Sequence, residues 1–134
     1  MQVQYRFSDS EISKLLKENF MVLYDTREQK NQHILDFLDK KKIQYKKKKI
    51  NEGDYTAIIT AREDMGISRN LYFNIAVERK NSVDELASIE VNYLKGIRFV
   101  DKKDAGRTIL KLLYYSVMEA LKERTEDIKA EQVT

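Results

Sequence analysis

The chain has 134 residues, enough for one domain with a buried core. It contains no cysteine, which excludes a disulfide framework, a zinc–thiolate centre and a cysteine nucleophile. No apolar stretch approaches the ~20 residues that span a bilayer, and the N-terminus lacks the pattern of a signal peptide. We therefore expect a cytoplasmic protein without a membrane partner, with one domain over residues 1–126 and a polar C-terminal tail over 127–134.

The N-terminal part of the sequence predicts a helix, a strand and a second helix. Ser8 or Asp9 can cap a short helix that runs through Asn19. Met21–Tyr24 is an apolar run too short for a helix and favours a buried strand. Gln29–Lys42 follows a helical period, with its apolar side chains on the inward side.

The middle of the chain predicts three consecutive strands. Ile43–Ile50 and Tyr55–Thr60 flank a turn at residues 51–54. Leu71–Lys80 alternates between apolar and polar positions, so that Glu78 and Lys80 share one face of the strand. Three strands in a row favour a mixed sheet over a purely parallel one.

The last third of the chain predicts a helix, a strand and a long final helix. Ser82 and Glu85 form a capping-box pattern that starts a helix, and its apolar stripe runs on through Val91 and Leu94. A short strand at Ile97–Val100 precedes a helix that begins near residue 105. The predicted order is (α)-β-α-β-β-β-α-β-α, an α/β fold with a mixed β-sheet flanked by helices.

A run of lysines is the main charge feature of a chain whose net charge is only +3. Seven lysines lie within residues 40–49, and such a patch attracts phosphate backbones. The same run could instead be a solvated helix end and strand edge, where lysine discourages edge pairing. Charge alone favours neither the phosphate-binding nor the solvated interpretation. The DNA-binding candidates are Lys46, Lys47, Lys48 and Lys49.

Carboxylates and basic side chains meet in three short segments at predicted strand ends: Asp25–Glu28, Gly53–Tyr55 and Glu78–Lys80. If the strand after Asp54 pairs with the strand that ends at Lys80, two carboxylates and an ammonium share one pocket. Such a set can hold Mg²⁺ or Mn²⁺, and the metal and the lysine stabilise charge that develops on a phosphate. The alternative is a surface ion pair, which stabilises a protein very little. Such a pattern can occur by chance here, because 35% of the chain is charged.

These motifs resemble a known nuclease signature. Tyr24-Asp25-Thr26-Arg27-Glu28, Gly53-Asp54 and Glu78-Arg79-Lys80 with Asp84 are similar to the V-D-x-R-E, G-D and E-R-K-x-x-x-D motifs of XPF/Hef-type structure-specific endonucleases. The likeness extends in particular to small stand-alone members that phages encode. It implies a restriction-endonuclease-like PD-(D/E)xK core and hydrolysis of DNA phosphodiester bonds on forked, flap or branched DNA, in recombination, repair or genome processing.

The resemblance also assigns roles to residues. It implies metal binding by Asp25, Asp54 and Glu78, catalysis by Asp54, Glu78 and Lys80, and support from Glu28, Arg79 and Asp84. Arg27 can pair with a carboxylate or a phosphate. The implied cofactor is Mg²⁺ or Mn²⁺, and the implied partners are DNA and a second copy of the chain.

Other hypotheses stay open. The stretch after Asp84 is shorter than in the resembled family, which usually carries a basic helix there. This favours a catalytically impaired DNA-binding or dimerisation module on the same fold. A third hypothesis is a protein-interaction factor that keeps the motifs as a relic.

Tyr114 and Tyr115 are adjacent on the last helix, so at least one should be partly exposed. An exposed tyrosine could stack on bases, but the sequence favours packing in the core or in a dimer. The sequence contains no glycine-rich phosphate loop, and we expect no nucleotide cofactor.

Overall fold

A computed structural model describes residues 5–79, 88–91, 97–99 and 104–132, and the two short middle segments are described only as strands. The helices are α1 (Asp9–Glu18), α2 (Gln32–Lys40) and α3 (Ala105–Glu123). The strands are β1 (Phe20–Tyr24), β2 (Gln44–Lys47), β3 (Tyr55–Ile59), β4 (Leu71–Tyr72), β5 (Val77–Arg79), β6 (Ser88–Val91), β7 (Ile97–Phe99) and β8 (Lys129–Ala130).

The strands form a mixed sheet in the order β2-β1-β3-β5-β6-β7. β1 and β2 are parallel, and the remaining pairs are antiparallel. Strand β3 is central and almost continuously apolar, which fits a strand that is covered on both faces. The predicted α/β class, a mixed sheet flanked by helices, is confirmed.

The helices pack together over one face of the sheet. α1 and α2 each contact α3, and α3 lies against β3. Alternate residues of β1 and β3, such as Val22 and Ala57, join Leu15, Leu38 and Leu113 of the helices in one buried cluster. Each fully buried leucine stabilises the fold by roughly 1.5–3 kcal/mol relative to exposure. This core holds the ends of β1, β3 and β5 in fixed positions.

The start of α1 follows directly from its sequence. Ser8 is the N-cap, and its hydroxyl accepts a hydrogen bond from the Glu11 backbone N–H at 3.2 Å. The Glu11 carboxylate in turn accepts from the Ser8 backbone N–H at 2.8 Å. Of the two predicted caps, Ser8 and Asp9, this reciprocal capping box uses Ser8.

Two predicted elements differ from the structure. The alternating run from Leu71 is divided into β4 and β5, because the chain turns between them, where the Ile75 N–H donates to the Phe73 carbonyl at 2.9 Å. The predicted helix after Ser82 is wrong over Ser88–Val91, which is strand β6 paired antiparallel with β5. A short apolar run does not distinguish a helix from a strand when its spacing suits both. The rest of that predicted helix, residues 82–87 and 92–94, lies outside the described residues.

The C-terminal segment packs against the sheet at β4. Strand β8 pairs antiparallel with β4, and Ile128 is buried beside the core. The Glu131 carboxylate accepts a hydrogen bond from the Tyr72 hydroxyl at 3.0 Å, and the Glu131 N–H donates to the Asn70 carbonyl at 2.8 Å. Among the residues described, no helix is long and apolar enough to cross a membrane.

Candidate active site

Three carboxylates lie where β1, β3 and β5 meet at one edge of the sheet. Asp25 follows β1, Asp54 precedes β3, and Glu78 is within β5. The backbone ladder continues through them, because the Asp25 N–H donates to the Asp54 carbonyl at 2.8 Å and the Asp54 N–H donates to the Val77 carbonyl at 2.9 Å. Ladder hydrogen bonds of this kind fix the relative positions of the three side chains.

Gly53 allows this close approach of β3 to β5. Its φ is +76°, in the left-handed region that costs other residues free energy. A Cβ at this position would lie 2.9 Å from the Cβ of Ala76 and 3.2 Å from the Val77 carbonyl oxygen. The glycine of the Gly53-Asp54 motif is therefore required by geometry, and it places Asp54 against β5.

Asp54 is the carboxylate of the cluster whose pKa is raised. It is half-buried, and its Oδ2 accepts a hydrogen bond from the Arg79 backbone N–H at 2.7 Å. Burial raises the pKa of Asp54 above its usual value, and the negative charges of Glu28, Glu78 and Asp25 raise it further. Like charges that converge in this way favour the binding of a cation.

Asp25 has a different environment. Its side chain is buried, and its Oδ1 accepts from the Ile50 N–H at 2.8 Å. Its Oδ2 accepts from the Arg27 backbone N–H at 3.1 Å and from Arg27 Nε at 2.7 Å. The hydrogen bonds from Ile50 and Arg27 lower the pKa of Asp25 to about 2. Asp25 therefore stays ionised and anchors the segment after β2 to the end of β1.

A buried ion pair supports the cluster from behind. Arg79 Nε donates to Glu28 Oε2 at 3.0 Å, and the two side chains are 7% and 4% exposed. The Arg79 guanidinium also donates to the Gln29 carbonyl at 2.7 Å. Tyr55, whose hydroxyl accepts from Asn31 Nδ2 at 3.3 Å, lies against the same pair. Burial, and then the interaction with Glu28, raises the pKa of the Tyr55 hydroxyl.

Tyr55 and Asn31 were not identified from the sequence as part of this network. The available signal was a tyrosine directly after the Gly53-Asp54 motif, at the start of a strand whose other residues are apolar or β-branched. Such a tyrosine needs a hydrogen-bond partner when it is buried. Lys80 and Asp84, two further predicted site residues, lie outside the described residues.

The predicted DNA-binding lysines separate into two groups. Lys46 and Lys47 are exposed on β2, whereas Lys48 and Lys49 line an open cleft of about 420 Å³. The Lys48 ammonium donates to the Tyr72 hydroxyl at 2.7 Å and lies 3.5 Å from the Glu131 carboxylate. These contacts raise the pKa of Lys48.

This cleft adjoins the carboxylates. Its lining includes Ile50, whose N–H donates to Asp25, and Glu52 and Ala76, which flank Gly53. Leu23 and Thr56 contribute to its wall from β1 and β3. A polyanion lying along the cleft would therefore contact lysines on one side and reach the strand ends that carry the carboxylates.

The donor chemistry of the cluster suits a hard divalent cation. Asp54 and Glu78 present carboxylate oxygens, which Mg²⁺ and Mn²⁺ prefer. Within the described part of the chain, no three histidine, cysteine, aspartate or glutamate side chains are already arranged around a common metal position. Oxygens of Asp25 and Glu28 accept hydrogen bonds from Arg27 and Arg79.

The ERCC4 domain family matches residues 24–132, a range that contains all the site residues from Asp25 to Arg79. No curated protein and no solved structure matches the chain.

Proposed function

The chain belongs to the ERCC4 domain family, and we propose that it is a divalent-metal-dependent DNA endonuclease with its active site at Asp54 and Glu78. The family is one of nucleases, typically structure-specific DNA endonucleases, so DNA is the substrate class. The observation that carries the proposal is the convergence of Asp25, Asp54 and Glu78 at one sheet edge, where burial and then the neighbouring negative charges raise the pKa of Asp54.

Mg²⁺ or Mn²⁺ fits this proposal through Asp54 and Glu78. The half-buried Asp54 carboxylate has one backbone hydrogen bond and three negative neighbours, an environment that a bound cation would relieve. When bound, such a cation supplies charge neutralisation at the phosphate and activation of a water. The resemblance also names Asp25 as a ligand; its three protein hydrogen bonds favour a positioning role instead.

The other proposed roles follow from what each side chain contacts. Arg79 donates its backbone N–H to Asp54 and its side chain to Glu28, and so holds the Asp54 carboxylate relative to β5. Arg27 is largely exposed beyond its contact with Asp25, so its free guanidinium edge can receive a phosphate. For Lys80 the sequence pattern alone supports a catalytic role, the stabilisation of charge on the phosphate.

We assign the cleft beside Lys48 and Lys49 to the DNA backbone. It is contiguous with the carboxylate cluster, and lysines on its wall can neutralise phosphates. The Lys48 ammonium already donates to the Tyr72 hydroxyl and pairs with Glu131, whereas Lys49 has no ion pair within the described part of the chain. Lys49 should therefore contribute more to DNA affinity than Lys48.

A second candidate function is a DNA-binding module that no longer cuts. The observation in its favour is that, within the residues described, no metal position is already surrounded by three suitable side chains. On this hypothesis the arginine contacts to Asp25 and Glu28 are permanent, and the cluster serves only to hold the strand ends together. Such a protein would bind DNA in a salt-dependent way and give no metal-dependent product.

Calorimetric titration of Mn²⁺ separates the two functions at the level of the site. The samples are the wild type, Asp54→Asn, and Asp36→Asn as a matched control, because Asp36 is an exposed aspartate on α2. The endonuclease proposal predicts binding by the wild type and by Asp36→Asn, with binding lost in Asp54→Asn. Equal binding heats for all three proteins would contradict the assignment of the metal site, and an absence of binding to the wild type would favour the second candidate.

A further inference from the structure

Three polar side chains from different parts of the fold converge on the Glu131 carboxylate. Its Oε2 accepts a hydrogen bond from the Tyr72 hydroxyl at 3.0 Å and one from Asn70 Nδ2 at 3.4 Å. The Lys48 ammonium lies 3.5 Å from the same oxygen. We call Lys48, Asn70 and Tyr72 the anion cradle. Carboxylate and phosphate oxygens accept from the same donors, so a cradle of this kind suits either anion.

The anion cradle is held in place by contacts that do not involve the carboxylate. The Lys48 ammonium donates to the Tyr72 hydroxyl at 2.7 Å and lies 5.3 Å from the centroid of the Tyr72 ring. The Asn70 amide is oriented by its Oδ1, which accepts from the Ala61 backbone N–H at 3.0 Å. Tyr72 lies on β4, which pairs with the central strand β3. The donors would therefore keep their positions if the carboxylate left them.

The anion cradle adjoins the cleft that we assign to the DNA backbone. The charged residues that line this cleft in the described part of the chain are Lys48, Lys49 and Glu52, and Tyr72 also contributes to the lining. Of the two lysines, Lys48 has Glu131 as its counterion. The cleft wall therefore offers a phosphate less positive charge than its two lysines could supply.

The Glu131 carboxylate can be exchanged for another anion without loss of the fold. The Lys48 and Glu131 side chains are 45% and 38% exposed, and ion pairs with this exposure are weak. The Glu131 backbone is fixed separately, because its N–H donates to the Asn70 carbonyl at 2.8 Å and its carbonyl accepts from Arg69 Nη1 at 3.4 Å. The carboxylate can therefore turn toward solvent while β8 stays paired with β4.

We propose that the anion cradle binds one backbone phosphate of DNA, and that Glu131 occupies it as a competing anion until DNA displaces the carboxylate. The inference rests on the proposed function, since it takes DNA as the ligand of the cleft. DNA can displace Glu131 because it presents several phosphates to the cleft at the same time, so that the contacts reinforce one another. Glu131 thus lowers the affinity of the protein for DNA.

The alternative is that Glu131 serves only to fasten β8 to β4. Removal of its charge would then lower the stability of the protein and leave its affinity for DNA unchanged. The two interpretations differ in the number of phosphates that the protein neutralises. The salt dependence of DNA binding measures this number directly, because each neutralised phosphate releases counterions.

The test is a titration of a short, fluorescently end-labelled duplex DNA, followed by anisotropy at several salt concentrations without divalent metal. Because Lys48 gains a phosphate, we expect Glu131→Gln to bind about threefold more tightly than the wild type or better, with a plot of log affinity against log salt that is steeper by about one. Addition of Lys48→Gln to Glu131→Gln should remove most of both changes. The matched control is Glu126→Gln, which removes one charge from an exposed glutamate outside the cradle and should bind like the wild type.

Several outcomes would overturn the inference. Wild-type affinity and salt dependence in Glu131→Gln would do so, and so would an equal gain in Glu126→Gln. A gain that keeps its full size when Lys48 is also replaced would show that the cradle is not its source. If neither the wild type nor Glu131→Gln binds DNA, the proposed function fails as well; if both bind equally, only the competition by Glu131 is refuted.

Discussion

Removal of Glu28 tests the claim that a buried ion pair holds the candidate site together. In Glu28→Ala the Arg79 guanidinium keeps its hydrogen bond to the Gln29 carbonyl at 2.7 Å but loses its counterion. Breaking a buried pair from one side costs about 3–5 kcal/mol. Because this carbonyl contact remains, we expect the lower end of that range, about 3 kcal/mol of unfolding free energy.

Urea denaturation measures the loss. With an m-value of about 1.5 kcal/mol/M, the midpoint should fall by about 2 M at unchanged m. The matched control is Glu18→Ala, which removes one of the two carboxylate partners of Arg62 in a pair where the Glu18 side chain is 47% exposed. Solvent screens that pair, so its removal should lower the midpoint far less. Equal midpoints for the two variants would refute the reasoning that burial makes the Arg79–Glu28 pair structurally important.

Three further changes test other parts of the account. Gly53→Ala forces a positive φ on alanine and places a Cβ 2.9 Å from the Cβ of Ala76. We expect urea denaturation to show a loss of roughly 2–4 kcal/mol in the free energy of unfolding. A smaller loss would contradict the need for glycine. Ser8→Ala removes the α1 cap and should lower the free energy of unfolding by about 1 kcal/mol; an unchanged melting curve would argue against the capping box. The hydrogen bond from Tyr72 lowers the pKa of Glu131, so its stabilising effect is present above the usual glutamate pKa and is lost as the pH falls through the lowered value. Glu131→Gln should therefore melt below the wild type near pH 7 and converge with it in strong acid; a constant difference would contradict this.

The sequence predicted the fold class because its strongest signals are local. Alternation and apolar runs identified β1 and β3, and the cap candidates Ser8 and Asp9 located the start of α1. Signals that depend on distant pairing were less informative. Strand β6 was predicted as a helix because its apolar residues fit a helical spacing, whereas its pairing with β5 and β7 makes it a strand.

The candidate site likewise combines residues that local motifs predicted with contacts that they did not predict. The motifs located Asp25, Asp54 and Glu78 at strand ends, and the ladder brings them together. The structure adds what no local pattern contains: the Ile50 N–H reaches Asp25 across 25 positions, and Arg79 pairs with Glu28 across 51. These contacts exist only after the sheet has formed, so they could not be read from spacing.

Cleavage of an end-labelled forked DNA in the presence of Mn²⁺ tests whether Asp54 belongs to the active site of a metal-dependent endonuclease. The wild type and Asp36→Asn should cut at similar rates, and Asp54→Asn should be slower by about a hundredfold or more. Omission of the metal should abolish the product in every sample. Cutting by Asp54→Asn at the wild-type rate, or cutting that does not require a divalent metal, would contradict the proposed active site.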